Sequence, residues 1–136
     1  QLRPFSEPEA APRPARTVLE EPRNTWRTEH DRATGTQTLE VVEDKGVYRL
    51  DGIGTTVEHR GRERYSMIDD DALSARGETR WLVGFHRPGW TVSTVTRTVL
   101  TCTAGELRVH ADLRAYEEDE EVYRTSWQRT IPRDHL

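Results

Sequence analysis

From residue 106 to residue 116 the chain alternates without a break. Leu107, Val109, Ala111, Leu113 and Ala115 take every second position, with Glu106, Arg108, His110, Asp112 and Arg114 between them. Successive side chains of a strand point to opposite faces, so this period predicts a strand with one dry face and one wet face. After the acidic run 117–121, the positions Tyr123, Thr125, Trp127, Arg129 and Ile131 alternate with Arg124, Ser126, Gln128 and Thr130. That second run predicts a partner strand, paired as a hairpin with the acidic run at its tip. Residues 78–87 place Trp81, Val83 and Phe85 on one side, and Arg87-Pro88-Gly89 turns the chain into a further strand over 90–103. Proline presets φ and glycine permits positive φ, which gives this turn signal its mechanism. With the Thr103-Ala104-Gly105 step, the last four strands form a meander of long strands, which implies a strongly twisted or curled sheet.

Upstream, shorter strands are predicted at 25–31, 37–43, 46–50, 55–60 and 62–68. Turns separate them at Ala33-Thr34-Gly35, Asp44-Lys45-Gly46, Asp51-Gly52 and Arg60-Gly61, and 68–74 reads as an ordered loop. No stretch carries a helical period. The fold expected is therefore all-β: an antiparallel meander with long curled strands, closing into a β-sandwich or a partly closed barrel. Five of the seven prolines, Pro4, Pro8, Pro12, Pro14 and Pro22, crowd the beginning of the chain. Proline removes donors and favours extended backbone, so residues 1–24 read as a Pro-rich extended linker or strap, anchored by Leu2, Phe5, Val18 and Leu19. Residues 25–136 form the β domain.

Composition sharpens this picture. Hydrophobic residues make up 33% and charged residues 32%, so the apolar positions must gather on few faces while much of each strand stays wet. The basic residues are arginines except for Lys45, and guanidinium groups suit planar pairing with carboxylates across a sheet. A net charge of -4 offers no basic field for a phosphate backbone or an anionic leaflet, which argues against nucleic acid and membrane as partners. Cys102 is the single cysteine, so no intrachain disulfide forms; a reducing, cytoplasmic setting is expected. No long uncharged apolar run is present. The chain begins at Gln1 and its one methionine is Met67, which reads as a piece of a larger protein.

Catalytic patterns are sparse. A serine hydrolase needs a strained Gly-x-Ser-x-Gly elbow that lifts the hydroxyl beside oxyanion-hole amides, and Ser6, Ser66, Ser74, Ser93 and Ser126 lack that setting. Glycines are not packed ahead of a helix, so no cofactor is expected. Cys102 ends a β-branched strand and reads as a small buried thiol. Asp69, Asp70 and Asp71 resemble the start of a calcium loop, but Ser74 and Arg80 stand where its glycine and closing glutamate belong; a capping turn is expected, and no metal. His30, His59, His86, His110 and His135 are too scattered for a metal site. Trp26, Trp81, Trp90 and Trp127 suit core filling more than a ligand platform. The candidate ligand or partner surface is Trp81, Phe85, Trp90, Tyr123 and Trp127, and no residue is assigned a catalytic role.

Several short stretches taken together carry a resemblance. These are Leu2-Arg3-Pro4-Phe5, Glu63-Arg64-Tyr65-Ser66, DDDALSA at 69–75 with Glu78 and Trp81, Ala115-Tyr116-Glu117, and WQRTIPRDH at 127–135. In order and spacing the chain resembles the C-terminal β region of CocE/NonD-type serine hydrolases, the cocaine-esterase and X-prolyl dipeptidyl-peptidase relatives. The resemblance implies a non-catalytic accessory domain of a larger enzyme whose Ser-Asp-His triad stands on a preceding α/β-hydrolase core. That core is the implied partner, with a second copy of the chain as a further one. The competing expectation is a β module that holds a small ligand or carbohydrate against its tryptophans.

Overall fold

The computed structural model describes residues 10–133. Among them every regular element is a strand: β1 (Arg16–Glu20), β2 (Arg23–Asp31), β3 (Thr36–Leu50), β4 (Thr55–Ile68), β5 (Asp71–Arg87), β6 (Trp90–Cys102), β7 (Glu106–Glu117) and β8 (Glu120–Pro132). They pair antiparallel in one open sheet of order β1-β3-β4-β5-β6-β7-β8, with β2 beside the other half of β3. The all-β antiparallel meander expected from the alternation is what forms, and β3 to β8 are all long.

Two expected turns are strand interior instead. Arg60-Gly61 was the first: β4 runs straight through it, because Gly61 lies under the indole of Trp81 and a Cβ there would come within 2.3 Å of the ring. Glycine here answers a cross-strand aromatic, not a reversal. Asp44-Lys45-Gly46 was the second. There β3 bulges and continues, with Gly46 at φ 71 and its N–H donating to Asp44 Oδ1 at 2.8 Å. A Cβ on Gly46 would meet the Glu20 carbonyl oxygen at 2.1 Å. The bulge is thus where β3 exchanges β2 for β1 as its neighbour. The loop expected over 68–74 is also shorter than that. Asp70 turns at φ 60 and β5 begins at Asp71, helped by Ser74 Oγ, which accepts from Ile68 N and donates to the Asp71 carbonyl.

Part of the proline-rich stretch belongs to the sheet. Val18 pairs with Tyr48, and Arg16 stacks its guanidinium over that ring at 5.2 Å. Leu2, Phe5 and His135 lie outside the described residues.

Because paired residues share a face, the registers sort every strand into two surfaces. One is apolar and threonine-rich. It carries Trp26, Leu39, Val41, Val57, Tyr65, Trp81, Val83, Phe85, Leu100, the Leu107-to-Ala115 row, and Tyr123, Trp127 and Ile131. The other is ionic, built from the arginines and carboxylates of β3 to β8. No described residue forms a second layer over either surface. Val57 is the buried hydrophobic residue and Thr55 the buried polar one, while Trp26 is 71% exposed. The accessible surface is 10801 Å², against about 7,300 Å² expected of a compact monomer of this mass. A sheet of one layer, exposed on both faces, has such an excess.

Candidate functional site

The ionic face is a lattice of mutually satisfying charges. Arg60 on β4 donates to Glu58 at 2.6 Å, to Glu20 at 2.7 Å and to Asp44 at 3.2 Å. Glu78 on β5 is the complement, one carboxylate among three guanidinium groups. Arg97 of β6 reaches it with Nε at 2.9 Å and Nη2 at 3.2 Å, Arg80 with Nε at 2.9 Å, and Arg76 completes the set. Arg62 pairs with Glu40 across β4 and β3, and His110 contacts Asp112 at 3.1 Å. These groups stand at every second position because one strand face contributes only alternate residues.

The Glu78 carboxyl is 18% exposed and falls from 4.5 to about 2, chiefly because Arg97 and then Arg80 hydrogen-bond its charged form against the cost of burial. A carboxylate whose pKa drops on folding stabilises the fold above its unfolded value and loses that contribution as the pH falls towards its folded one. Between pH 4.5 and 2 the urea midpoint should therefore decline, and Glu78→Gln should make that decline shallower. Superimposable midpoint-against-pH curves for the two proteins would remove Glu78 from the account. At neutral pH the same substitution should cost about 1–2 kcal/mol, the range for charge-assisted hydrogen bonds to part-exposed partners.

The apolar face curls at one end into a trough of 910 Å³. Its walls are Leu39 of β3, Tyr65 and Met67 of β4, Leu100 of β6 and Leu107 of β7, over a floor of Ala75, Gly77, Thr79 and Thr98. The small floor residues leave the space, which residues of β2 through β7 line. Glu63, a carboxylate on this mostly apolar face, accepts from Tyr65 Oη at 2.6 Å. At the rim, Asp69 accepts from His30 or shares its proton at 2.7 Å, and accepts from Gln37 Nε2 at 2.7 Å. Those bonds, Gln37 first, hold the Asp69 carboxyl below its ordinary value. Asp69 thus ties the β4–β5 turn to the β2–β3 hairpin, its own N–H donating to the Gly35 carbonyl at 2.8 Å, and Asp71 caps Leu73 N at 3.0 Å. Among the described residues no three His, Cys, Asp or Glu side chains are grouped to hold a metal ion.

The five candidate surface residues all fall on the apolar face, but not in one pocket. Trp81 and Phe85 neighbour each other on β5. Trp90 sits at the β5–β6 hairpin with the Arg87 guanidinium 4.6 Å over its ring. Tyr123 and Trp127 lie three strands away on β8, beyond the small side chains Thr94, Thr98, Ala111 and Ala115. Core filling does not describe the tryptophans, since Trp26, Trp90 and Trp127 are exposed. Cys102 was expected buried and is half-buried, with its thiol 3.6 Å from the Ala72 carbonyl, because one layer of sheet has no interior to bury it in. The trough residues Leu39, Tyr65 and Met67 went unnoticed in the sequence. Reading a turn at Gly61 broke the alternation that would have joined them to Trp81.

No serine hydroxyl among the described residues bonds a histidine; Ser74 Oγ is engaged with backbone. Nor is any helix among them long and apolar enough to cross a membrane. Against known proteins, no family model, no curated protein and no solved structure matches this chain.

Proposed function

We propose that the chain is a non-catalytic accessory β domain of a larger serine hydrolase of the CocE/NonD type, of the esterase or acyl-peptidase class, and that it packs its apolar face on the α/β-hydrolase core. The observation that carries the reading is the bare, mostly apolar face, which extends from Trp26 on β2 to Ile131 on β8 with charged positions such as Glu63 and Arg129 within it. Exposed apolar surface of this extent marks an interaction site. A sheet that is ionic on one side and apolar on the other needs a second layer on its apolar side. The likeness of the DDDALSA and WQRTIPRDH stretches to that family supplies the identity of the layer. Within this reading the chain works in the cytoplasm beside its core, where the lone Cys102 has no oxidative partner. Co-expressing the core with and without this chain tests it. The core should gain thermal stability and keep its activity longer when the chain is present; equal stability, oligomeric state and activity would overturn the proposal.

The trough supports a second reading, a module for a small apolar ligand, because its volume and apolar walls are those of a ligand site. The tryptophans lie elsewhere on the face, so an acyl chain fits better than a saccharide. A fluorescent fatty-acid probe should bind the chain and lose at least tenfold in affinity in Met67→Asp. Binding that is absent, or indifferent to Met67→Asp, would dismiss this reading.

A further inference from the structure

The two edges of the sheet are built differently. On one side β3 is bordered by two short strands, β1 of 5 residues and β2 of 9, broken at Glu21-Pro22 and offset by a bulge. Short, interrupted strands are how a sheet discourages further pairing. On the other side β8 is 13 residues long, has no lysine, and reaches its proline only at its last position, Pro132. Its exposed side chains include Tyr123 at 56% and Trp127 at 45%.

The direction of its free backbone groups follows from one bond. Arg133 N donates to the Gly105 carbonyl at 2.9 Å, in step with the Glu106↔Pro132 register. In an antiparallel pair such bonded positions recur every second residue, so 131, 129, 127, 125 and 123 bond β7. The N–H and C=O groups of Arg124, Ser126, Gln128 and Thr130 therefore point outward, with no partner strand among the described residues.

The strand is also self-complementary. Its beginning is acidic, Glu118 to Glu121, and its end carries Arg129 and Arg133. Antiparallel pairing with itself sets the acidic start of each copy beside the basic end of the other, twice. With Trp127 on the two-fold axis, Tyr123 falls opposite Ile131 of the second copy and Arg124 opposite Thr130 of the second copy. From 121 to 133 no like charges meet along that register, Glu121 of each copy falling opposite Arg133 of the other, and the aromatic rows join on the apolar face.

From these features we infer that β8 is a homodimer interface: two copies pair through their β8 edges into one continuous sheet across a two-fold axis. The interface is carried by backbone groups at the sheet's edge, with Tyr123, Trp127 and Ile131 as its side-chain neighbours on the apolar face, so it stands whether or not the rest of that face meets a hydrolase core.

Sedimentation velocity of the protein at micromolar concentration should show a dimer. Ser126→Pro removes an outward N–H at an edge position, where proline is tolerated, and leaves the β7 ladder intact. It should raise the dimer dissociation constant at least tenfold with an unchanged far-ultraviolet circular dichroism spectrum. A second variant involves no proline: Trp127→Cys in a Cys102→Ser background should oxidise to a covalent dimer. A protein still monomeric at about 100 μM, where a dissociation constant of about 1 μM would leave it almost wholly dimeric, an unaltered dimer in folded Ser126→Pro, or no cross-link in the cysteine variant would each overturn the inference.

Discussion

Under the proposed docking of the apolar face on a hydrolase core, Val83→Lys should weaken that attachment by about two to three orders of magnitude, while Val95→Lys leaves it unchanged. The two valines make a matched pair. Val83 stands in the middle of β5 on the apolar face, flanked by Trp81 and Phe85 and opposite His59 and Thr94. Val95 stands on β6 on the ionic face, opposite Leu82 and Arg114, and is 37% exposed. In the free chain both lysines reach water, so neither should shift the urea midpoint by more than about 0.5 kcal/mol. Only Val83→Lys carries its ammonium into the contact. An unpaired charge buried there costs about 3–5 kcal/mol, and each 1.4 kcal/mol is about a tenfold change in affinity. Titration of separately purified core with each variant gives the two dissociation constants. Equal losses in both, or no loss in either, would mean that the apolar face is not the surface the core meets.

The strands most easily read in the sequence were those with strict alternation and an unambiguous turn. β7 and β8 carry five consecutive in-phase positions each, and Pro88-Gly89 marks the β5–β6 reversal, so both hairpins formed where expected. The upstream half was harder because its glycines do work that turn chemistry also does. Gly46 combines a positive φ with a bulge, and Gly61 accommodates an indole from the next strand. Neither role shows locally; each depends on a residue brought alongside by pairing, Glu20 for one and Trp81 for the other. That distinction also explains the site. That Trp81, Phe85, Tyr123 and Trp127 share a surface follows from alternation plus register. The trough depends on sheet curl and on small floor residues such as Gly77 and Thr79, and alternation alone gives no measure of curl.

The contact between Gly61 and Trp81 makes the last expected result a coupled one. Gly61→Ala should destabilise the chain by about 1–3 kcal/mol, the range for forcing a methyl group into a filled space. The new Cβ would lie 2.3 Å from Trp81 Cζ3 and 2.6 Å from Cη2. Backbone relief is closed off, since β4 is paired to Glu43 of β3 on one side and to Trp81 of β5 on the other. The indole must therefore swing away, and it loses its contact with His59, whose ring centroid lies 5.3 Å from its own. Trp81→Ala removes the obstacle. In that background Gly61→Ala should cost less than about 0.5 kcal/mol, or even stabilise, because alanine restricts the unfolded chain more than glycine does. Urea unfolding of the wild type, both single variants and the double variant closes the cycle. A Gly61→Ala cost that is the same with and without the indole would show that the strand tolerates a side chain there for reasons unconnected with Trp81.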